Sequence, residues 1–485
     1  MFTESLVHAL ALIGIVIMLA SLLSGVIDRS GLPQVAIFLL LGVVVGPSGL
    51  GLVNLTLDSP ALQAIATLAL VLVLFSDAIA VDMADVKRHR GIAALVLGPG
   101  TLIPAAIIAV AGHFLLGLTP LESAIIGAAL ASTDPVLLRN LLRRPSLPTT
   151  ARIALRLESG MNDVVLLPIV VLAILVVKSA GSVDPMEFGR HVLGLFLLGP
   201  LLGAGIGAAA IMLLEQVRSR AGVRRDYESL YALGVAFTAF AAAEAAGGSG
   251  FLAAFAAGLM VAALDVELCD CFLDYGQATA EMFLLFTFVA FGAWLIWTGL
   301  EVISVPALIF AFIALAARTA VLLPVLARSG LAARDRRLIA WFGPRGLSSL
   351  LLVLLPVFAE MPGSVRLFQI TSLVVLLSVL LHGAAIALFL RKDVGPGATP
   401  ETVRPAKPAP APEAVTVRER ITIEEMRQLQ KSGEQVIIAD VRTERTWNPD
   451  LVKAQGAVRL PPDDAVRRAR QLGLDHHGTV VLYCA

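Results

Sequence analysis

Ser132-Thr133-Asp134-Pro135 and Glu158-Ser159-Gly160-Met161-Asn162-Asp163 sit inside otherwise apolar stretches, and their reading decides the fold. A carboxylate at the centre of a bilayer costs ~2.5–3.5 kcal/mol on insertion scales. Three of them fall within about thirty residues here. Such a cluster points to a cation and proton site at membrane depth, and so to ion-coupled transport.

The rest of the chain supports a membrane setting. Of 485 residues, 57% are hydrophobic and 15% charged, and the mean hydropathy is +0.85. A soluble chain carries roughly 25% charged residues. The class is therefore all-α and polytopic. The formal net charge is zero, which gives no basis for nucleic acid as a partner. Cys269, Cys271 and Cys484 make no disulfide framework. Cys269-Asp270-Cys271 has the form of half a metal motif without clustered partner ligands, so its reading is structural. Met1 to His8 lacks a basic region, and the apolar run after it is long enough to span, so it reads as a retained first helix.

A span needs about twenty apolar residues. Thirteen stretches qualify: 6–27, 33–50, 60–82, 91–117, 121–142, 153–177, 191–214, 227–246, 250–266, 278–299, 303–327, 337–358 and 367–390. The loops after odd-numbered stretches, with the tail, hold eighteen Lys and Arg residues; those after even-numbered ones hold three, Lys178, Arg190 and Arg366. By the positive-inside rule the N-terminus lies outside and the C-terminus in the cytoplasm. Lys178, at the end of its stretch, reads as snorkelling.

On a helix, Glu158, Ser159, Asn162 and Asp163 share one face. That face offers carboxylates, a hydroxyl and an amide to a dehydrated cation. Pro135 disfavours helical geometry at Asp134, so the fifth stretch should break near 132–135. Non-helical backbone at membrane depth is tolerated where it is buried in protein or lines a cavity, and the Thr133 carbonyl is freed there to coordinate an ion. A second break is expected at Trp341-Phe-Gly-Pro-Arg-Gly-Leu-Ser-Ser349. Arg345 lies inside it and needs a carboxylate partner, for which Glu158 is the best candidate. Two breaks seven stretches apart fit an inverted repeat. Taken singly, Asp-Pro also caps helices in loops, and Glu158 is also placed to neutralise Arg156. Asp77 and Glu244 are open to either an ion-path or a helix-end role.

Thr133-Asp134-Pro135, Glu158-Ser159-x-x-Asn162-Asp163 and Gly343-Pro344-Arg345-Gly346 resemble, in order, the signature of monovalent cation/proton antiporters of the NhaP and NHE type. The resemblance covers residues 1–392. It implies a six-helix ion-carrying core moving against a dimerisation domain in a cell-membrane homodimer. Na⁺, K⁺ or Li⁺ and H⁺ would be the transported ions, with no cofactor. It further implies that Asp163 binds the cation and the proton, and that Asp134, Glu158, Ser159, Asn162 and Thr133 complete the site, with Arg345 paired to Glu158. Electrogenic relatives carry two adjacent aspartates where this chain has Asn162-Asp163, so the resemblance implies electroneutral exchange.

Beyond Lys392 the composition changes. Residues 393–417 contain six prolines and form a semi-rigid linker. Residues 418–485 look α/β. Thr422-x-x-Glu425 is a capping box, Gly433 a helix stop, and Gln435 to Ala439 and Thr479 to Tyr483 read as buried strands. Ala439-Asp440-Val441-Arg442, Gly456-Ala457-Val458-Arg459-Leu460-Pro461 and Val480-Val481-Leu482-Tyr483-Cys484 resemble the first part of a rhodanese domain. In that family the cysteine carries a persulfide cradled by a following loop, and here only Ala485 follows Cys484. Two rival readings are a membrane-anchored sulfurtransferase, which that missing loop opposes, and an organic-anion symporter of similar architecture, which would not be expected to carry Asn162-Asp163 with Arg345.

Overall fold

The computed structural model describes residues 34–52, 55–81, 88–142, 147–178, 185–221, 225–264 and 277–393, with 436–442, 456–461, 479–483 and scattered single residues besides. The chain divides into two compact units, Met1–Gly395 and Pro396–Ala485.

The first unit is helical. In chain order it holds α1 (Gln34–Val45), α2 (Pro60–Ala80), α3 (Arg90–Leu97), α4 (Pro99–Leu116), α5 (Pro120–Ala131), α6 (Pro135–Leu142), α7 (Thr149–Lys178), α8 (Pro185–Leu193), α9 (Gly199–Ala221), α10 (Arg225–Ala245), α11 (Gly250–Leu264), α12 (Gln277–Ala293), α13 (Val305–Val325), α14 (Ala333–Trp341), α15 (Leu347–Phe358) and α16 (Ser364–Asp393). Local chemistry sets many of these ends. Proline occupies the first turn of α2, α4 and α5, where its missing N–H costs nothing. Thr119 and Glu122 form a reciprocal capping box at the start of α5. Gly117 ends α4 in the left-handed region, at φ +64°.

Among the described residues, seven helices are long and apolar enough to cross a membrane, or eight if the bent pair Met282–Ala293 and Leu295–Val302 is one span. The stretch 6–27 lies outside the described residues apart from Gly14, Met18 and Leu22. The stretches at 33–50, 250–266 and 337–358 hold apolar helices of 12, 15 and 12 residues, shorter than a straight span requires. For 337–358 the reason is the break before Leu347.

Close approach of backbones packs the bundle. A Cβ on Gly203 of α9 would lie 2.0 Å from the Ala253 carbonyl oxygen of α11, and one on Gly42 of α1 would lie 2.4 Å from that of Val289 on α12. Only glycine permits such crossings. The core contains Leu70, Leu74, Ile125, Phe288, Phe291, Phe310 and Phe368, while Phe114, Phe312 and Leu380 face outward, each at least 70% exposed. In a bilayer that outer apolar surface meets lipid.

In the second unit, β1 (Val436–Asp440), β2 (Val458–Arg459) and β3 (Thr479–Tyr483) form a parallel sheet in the order β2-β1-β3. The α/β expectation fits this sheet. The expectation of two buried strands holds only in part: β1 ends in buried Ala439 and Asp440, but β3 alternates and exposes Val480 and Leu482. One face of β3 is therefore uncovered. The capping-box pair Thr422 and Glu425, and Gly433, lie outside the described residues; Met426 and Arg427 just beyond are helical.

Candidate functional site

The site is built where two helices break and cross. α5 stops at Ala131, and Ser132, Thr133 and Asp134 run without helix until Pro135 starts α6. α14 stops at Trp341, and residues 342–346 run without helix until Leu347 starts α15. Pro135 and Pro344 sit in these breaks, as the sequence predicts.

The breaks hold each other through opposite charges. Asp134 donates its backbone N–H to the Pro344 carbonyl at 2.9 Å. Its carboxylate accepts the Val136 N–H at 2.7 Å and the Leu347 N–H at 2.6 Å, so one anion caps the N-termini of both α6 and α15. In return, Arg345 Nη1 donates to the carbonyls of Ala131 and Ser132 at 3.0 and 3.2 Å, placing a cation at the C-terminus of α5. Both placements suit the helix dipole. Gly346 is required for the crossing, because a Cβ there would lie 1.9 Å from Asp134 Oδ2. Ser378 of α16 fixes the second break from behind by accepting the Arg345 backbone N–H at 2.7 Å.

Helix α7 presents its polar face to the first break. Glu158, Ser159, Asn162 and Asp163 are all buried. Asn162 Nδ2 donates to Thr133 Oγ1 at 2.8 Å, and Ser132 Oγ donates to Asp163 Oδ1 at 2.5 Å. Asp163 Oδ2 and Asn162 Oδ1 are buried with no hydrogen-bond partner among the described residues. Ser159 Oγ lies 3.5 Å from the Arg156 carbonyl oxygen.

The expected Glu158–Arg345 pair is not what forms. Glu158 is taken by Arg318 of α13: Nε donates to Oε1 at 2.5 Å and Nη2 to Oε2, both side chains being buried. The third branch of Arg318, Nη1, donates to the Ala340 carbonyl at 2.7 Å, capping the C-terminus of α14. Arg345 is instead held by the carbonyls of the first break, with Nε and Nη2 making no hydrogen bond among the described residues. Arg318 was missed because it lies in an apolar run with no motif around it; a buried arginine within a predicted span was the available signal.

Among the described residues no three Asp, Glu, His or Cys side chains gather into a metal-binding group. Glu158 turns to Arg318 and Asp134 to the two helix starts, which leaves Asp163 with Asn162, Thr133 and Ser132. Glu244 has a helix-end role: its Oε1 accepts the Gly250 N–H at the start of α11. Asp77, half-buried near the end of α2, packs 3.8 Å from where a Cβ on Gly160 would be. Lys178 is the last residue of α7. Cys269, Cys271 and Cys484 lie outside the described residues.

In the second unit Arg442 makes a two-pronged pair with buried Asp440, its Nε donating to Oδ1 at 3.0 Å and its Nη2 to Oδ2 at 2.7 Å. This partner holds the Asp440 carboxyl down to about 2.

Two crossed breaks at membrane depth, with ionisable groups held between them, define a secondary transporter for small ions. Comparison with known proteins places it further: residues 14–392 match the family described as sodium/hydrogen exchanger, transmembrane, and the chain belongs to that family. It is 28% identical over 390 residues to the K⁺/H⁺ antiporter NhaP2 of Shewanella sp. (strain MR-4), covering 79% of this chain and 67% of that protein. It is 24% identical over 422 residues to the K⁺/H⁺ antiporter NhaP of Alkalimonas amylolytica, covering 85% and 72%. The sodium proton antiporter MjNhaP1 of Methanocaldococcus jannaschii shares the fold, with a TM-score of 0.64 at 21% identity over 79% of this chain and 98% of that structure. The relatives are secondary cation/proton antiporters rather than enzymes, and the ions they carry are substrates, not cofactors.

Proposed function

We propose that this protein exchanges Na⁺ or K⁺ for H⁺ by alternating access of one site, with Asp163 as the carboxylate that both ions share. One observation carries the reading: Asp163 Oδ2 and Asn162 Oδ1 are buried and make no hydrogen bond among the described residues, beside a broken helix. A buried carboxylate without a partner is costly, so it takes up either a proton or a cation. Thr133 and Ser159 supply further oxygen ligands. Asp134 and Glu158, spoken for by backbone N–H groups and Arg318, hold the frame on which the site is built.

With Asn162 beside a single acid, one carboxylate serves two monovalent ions, which supports electroneutral exchange. We further propose thirteen spans in two inverted halves, a homodimer in the cell membrane, an outside N-terminus, a cytosolic C-terminus, and a rhodanese-like module that influences transport. The basic-residue asymmetry supports the orientation, and the parallel sheet agrees with the module.

The test is exchange in proteoliposomes. Asp163→Asn should fold and abolish cation-dependent proton flux, and an imposed membrane potential should not drive cation uptake by the unmodified protein. Substantial flux through well-folded Asp163→Asn would remove Asp163 from the role. Voltage-driven uptake would end the electroneutral reading.

A further inference from the structure

A cleft of about 430 Å³ opens between α14 and the last turns of α16, lined by Arg334, Arg337, Leu338, Trp341, Phe342 and Leu388, with Ala385 and Phe389 completing its wall. The volume lies within the roughly 300–1,000 Å³ of small-molecule sites. It is not part of the ion site. Its two halves differ in chemistry. α14 has the sequence ARDRRLIAW, three arginines against the single acid Asp335. Arg334 and Arg337 are both exposed; Arg337 Nε donates to its own helix at Ala333, and Arg336 turns away to the Ala327 carbonyl. Beyond the arginines the lining is apolar: Trp341, at the end of α14 itself, is 42% exposed, and Leu388, on the facing α16, 60%.

The cleft also sits at a boundary. α16 is apolar from Ser364 to Phe389, and the sequence then turns to Arg391-Lys392. The lining residues Ala385, Leu388 and Phe389 are therefore the last apolar turn before charge. Trp favours that depth in a bilayer. An arginine pair at the water side over an exposed apolar wall at the lipid side matches an anion with a hydrocarbon tail. Guanidinium groups bind phosphate through paired donors, and basic groups beside a membrane attract anionic lipids.

We infer that this cleft is a binding site for an anionic phospholipid, whose phosphate meets Arg334 and Arg337 and whose acyl chain lies along Trp341 and Leu388. The site reports to the transport machinery through two contacts. Phe342, in the cleft wall, is the first residue of the second break and stacks edge-on against Phe389 at 5.6 Å. Trp341 lies 6.0 Å from the His382 ring, and His382 Nδ1 is 3.2 Å from Ser378 Oγ, the acceptor of the Arg345 backbone N–H. A lipid seated in the cleft thus steadies the segment that carries Arg345.

The binding test does not depend on transport. The full chain is reconstituted in phosphatidylcholine bilayers containing phosphatidylglycerol with brominated acyl chains, and tryptophan fluorescence is followed. Trp341→Phe isolates the Trp341 contribution. Brominated phosphatidylglycerol should quench it at mole fractions where brominated phosphatidylcholine does not. Arg334→Gln and Arg337→Gln should each weaken this by about fivefold, and together by roughly 30-fold. Exchange in phosphatidylcholine alone should be unchanged in the double variant, while its response to phosphatidylglycerol is lost. Equal quenching by both lipids, or quenching unaltered in the double variant, would overturn the site. Competition by inorganic phosphate or glycerol phosphate at matching concentration would show a soluble anion as the occupant and overturn the lipid assignment.

Discussion

Exchanging Glu158 and Arg318 for glutamine, singly and together, tests the centre of the structure. Both side chains are 3% exposed. Arg318→Gln removes both donors from the Glu158 carboxylate, since no other hydrogen bond to its oxygens is formed among the described residues. Breaking one half of such a pair costs ~3–5 kcal/mol, because the remaining charge is buried and uncompensated. The double variant leaves two neutral amides at bonding distance, so its cost should fall short of the sum by up to ~3 kcal/mol. Arg345→Gln is the control. It loses charge-assisted bonds to the Ala131 and Ser132 carbonyls, at ~1.5–3 kcal/mol, but touches no atom of Glu158. Its coupling to Glu158→Gln should therefore be the smaller by at least ~1 kcal/mol. The assay is equilibrium unfolding in mixed detergent micelles for all variants. Additivity between Glu158 and Arg318, or a larger coupling through Arg345, would refute the reasoning and restore the pairing suggested by sequence.

Gly346→Ala should disable exchange and lower stability, because its Cβ would overlap Asp134 Oδ2; normal flux in proteoliposomes would show that the two breaks do not need to touch. Asp440→Asn should speed tryptic cleavage after Arg442, whose side chain is buried in its pair with Asp440, and unchanged digestion kinetics would count against that pair as a brace. Because the Asp440 carboxyl is held at about 2, below the roughly 3.9 of an unfolded chain, its contribution is complete above pH ~4 and disappears as pH falls through about 2. Native protease resistance of the second unit should follow that window, and Asp440→Asn should remove this part of the dependence.

Much of the membrane unit is legible because prolines and buried charges speak locally. Pro135 and Pro344 each disfavour helix at the preceding residue, which can be named from the chain alone, and both breaks fall there. The i, i+1, i+4, i+5 spacing likewise puts Glu158, Ser159, Asn162 and Asp163 on one buried face. What the sequence hides is the partner of each charge. Arg345 and Arg318 are both single arginines in apolar runs, 27 positions apart by their numbering, and only the docking of α13 on α7 decides which one reaches Glu158. Length misleads elsewhere: the stretches 33–50 and 250–266 are expected to span, but hold helices of 12 and 15 residues.

Glu158, Asp134 and Asp163 separate by the donors that surround them. Glu158 faces a guanidinium with two aligned N–H groups, so its charge is matched within the protein. Asp134 faces the N-termini of two helices, where backbone N–H groups would otherwise lack acceptors. Asp163 accepts one hydroxyl, from Ser132, on Oδ1 and has the Ser348 hydroxyl nearby, while its Oδ2 makes no hydrogen bond among the described residues. Native proteins rarely leave a buried carboxylate half satisfied, and where they do the group has work outside the fold's own stability. Moving a proton or a cation on and off Glu158 or Asp134 would dismantle a helix contact each cycle. On the exchange proposed above, doing so at Asp163 would disturb a side-chain hydrogen bond to Ser132, a residue of the break itself, and so would couple ion loading to the contact between α7 and the break.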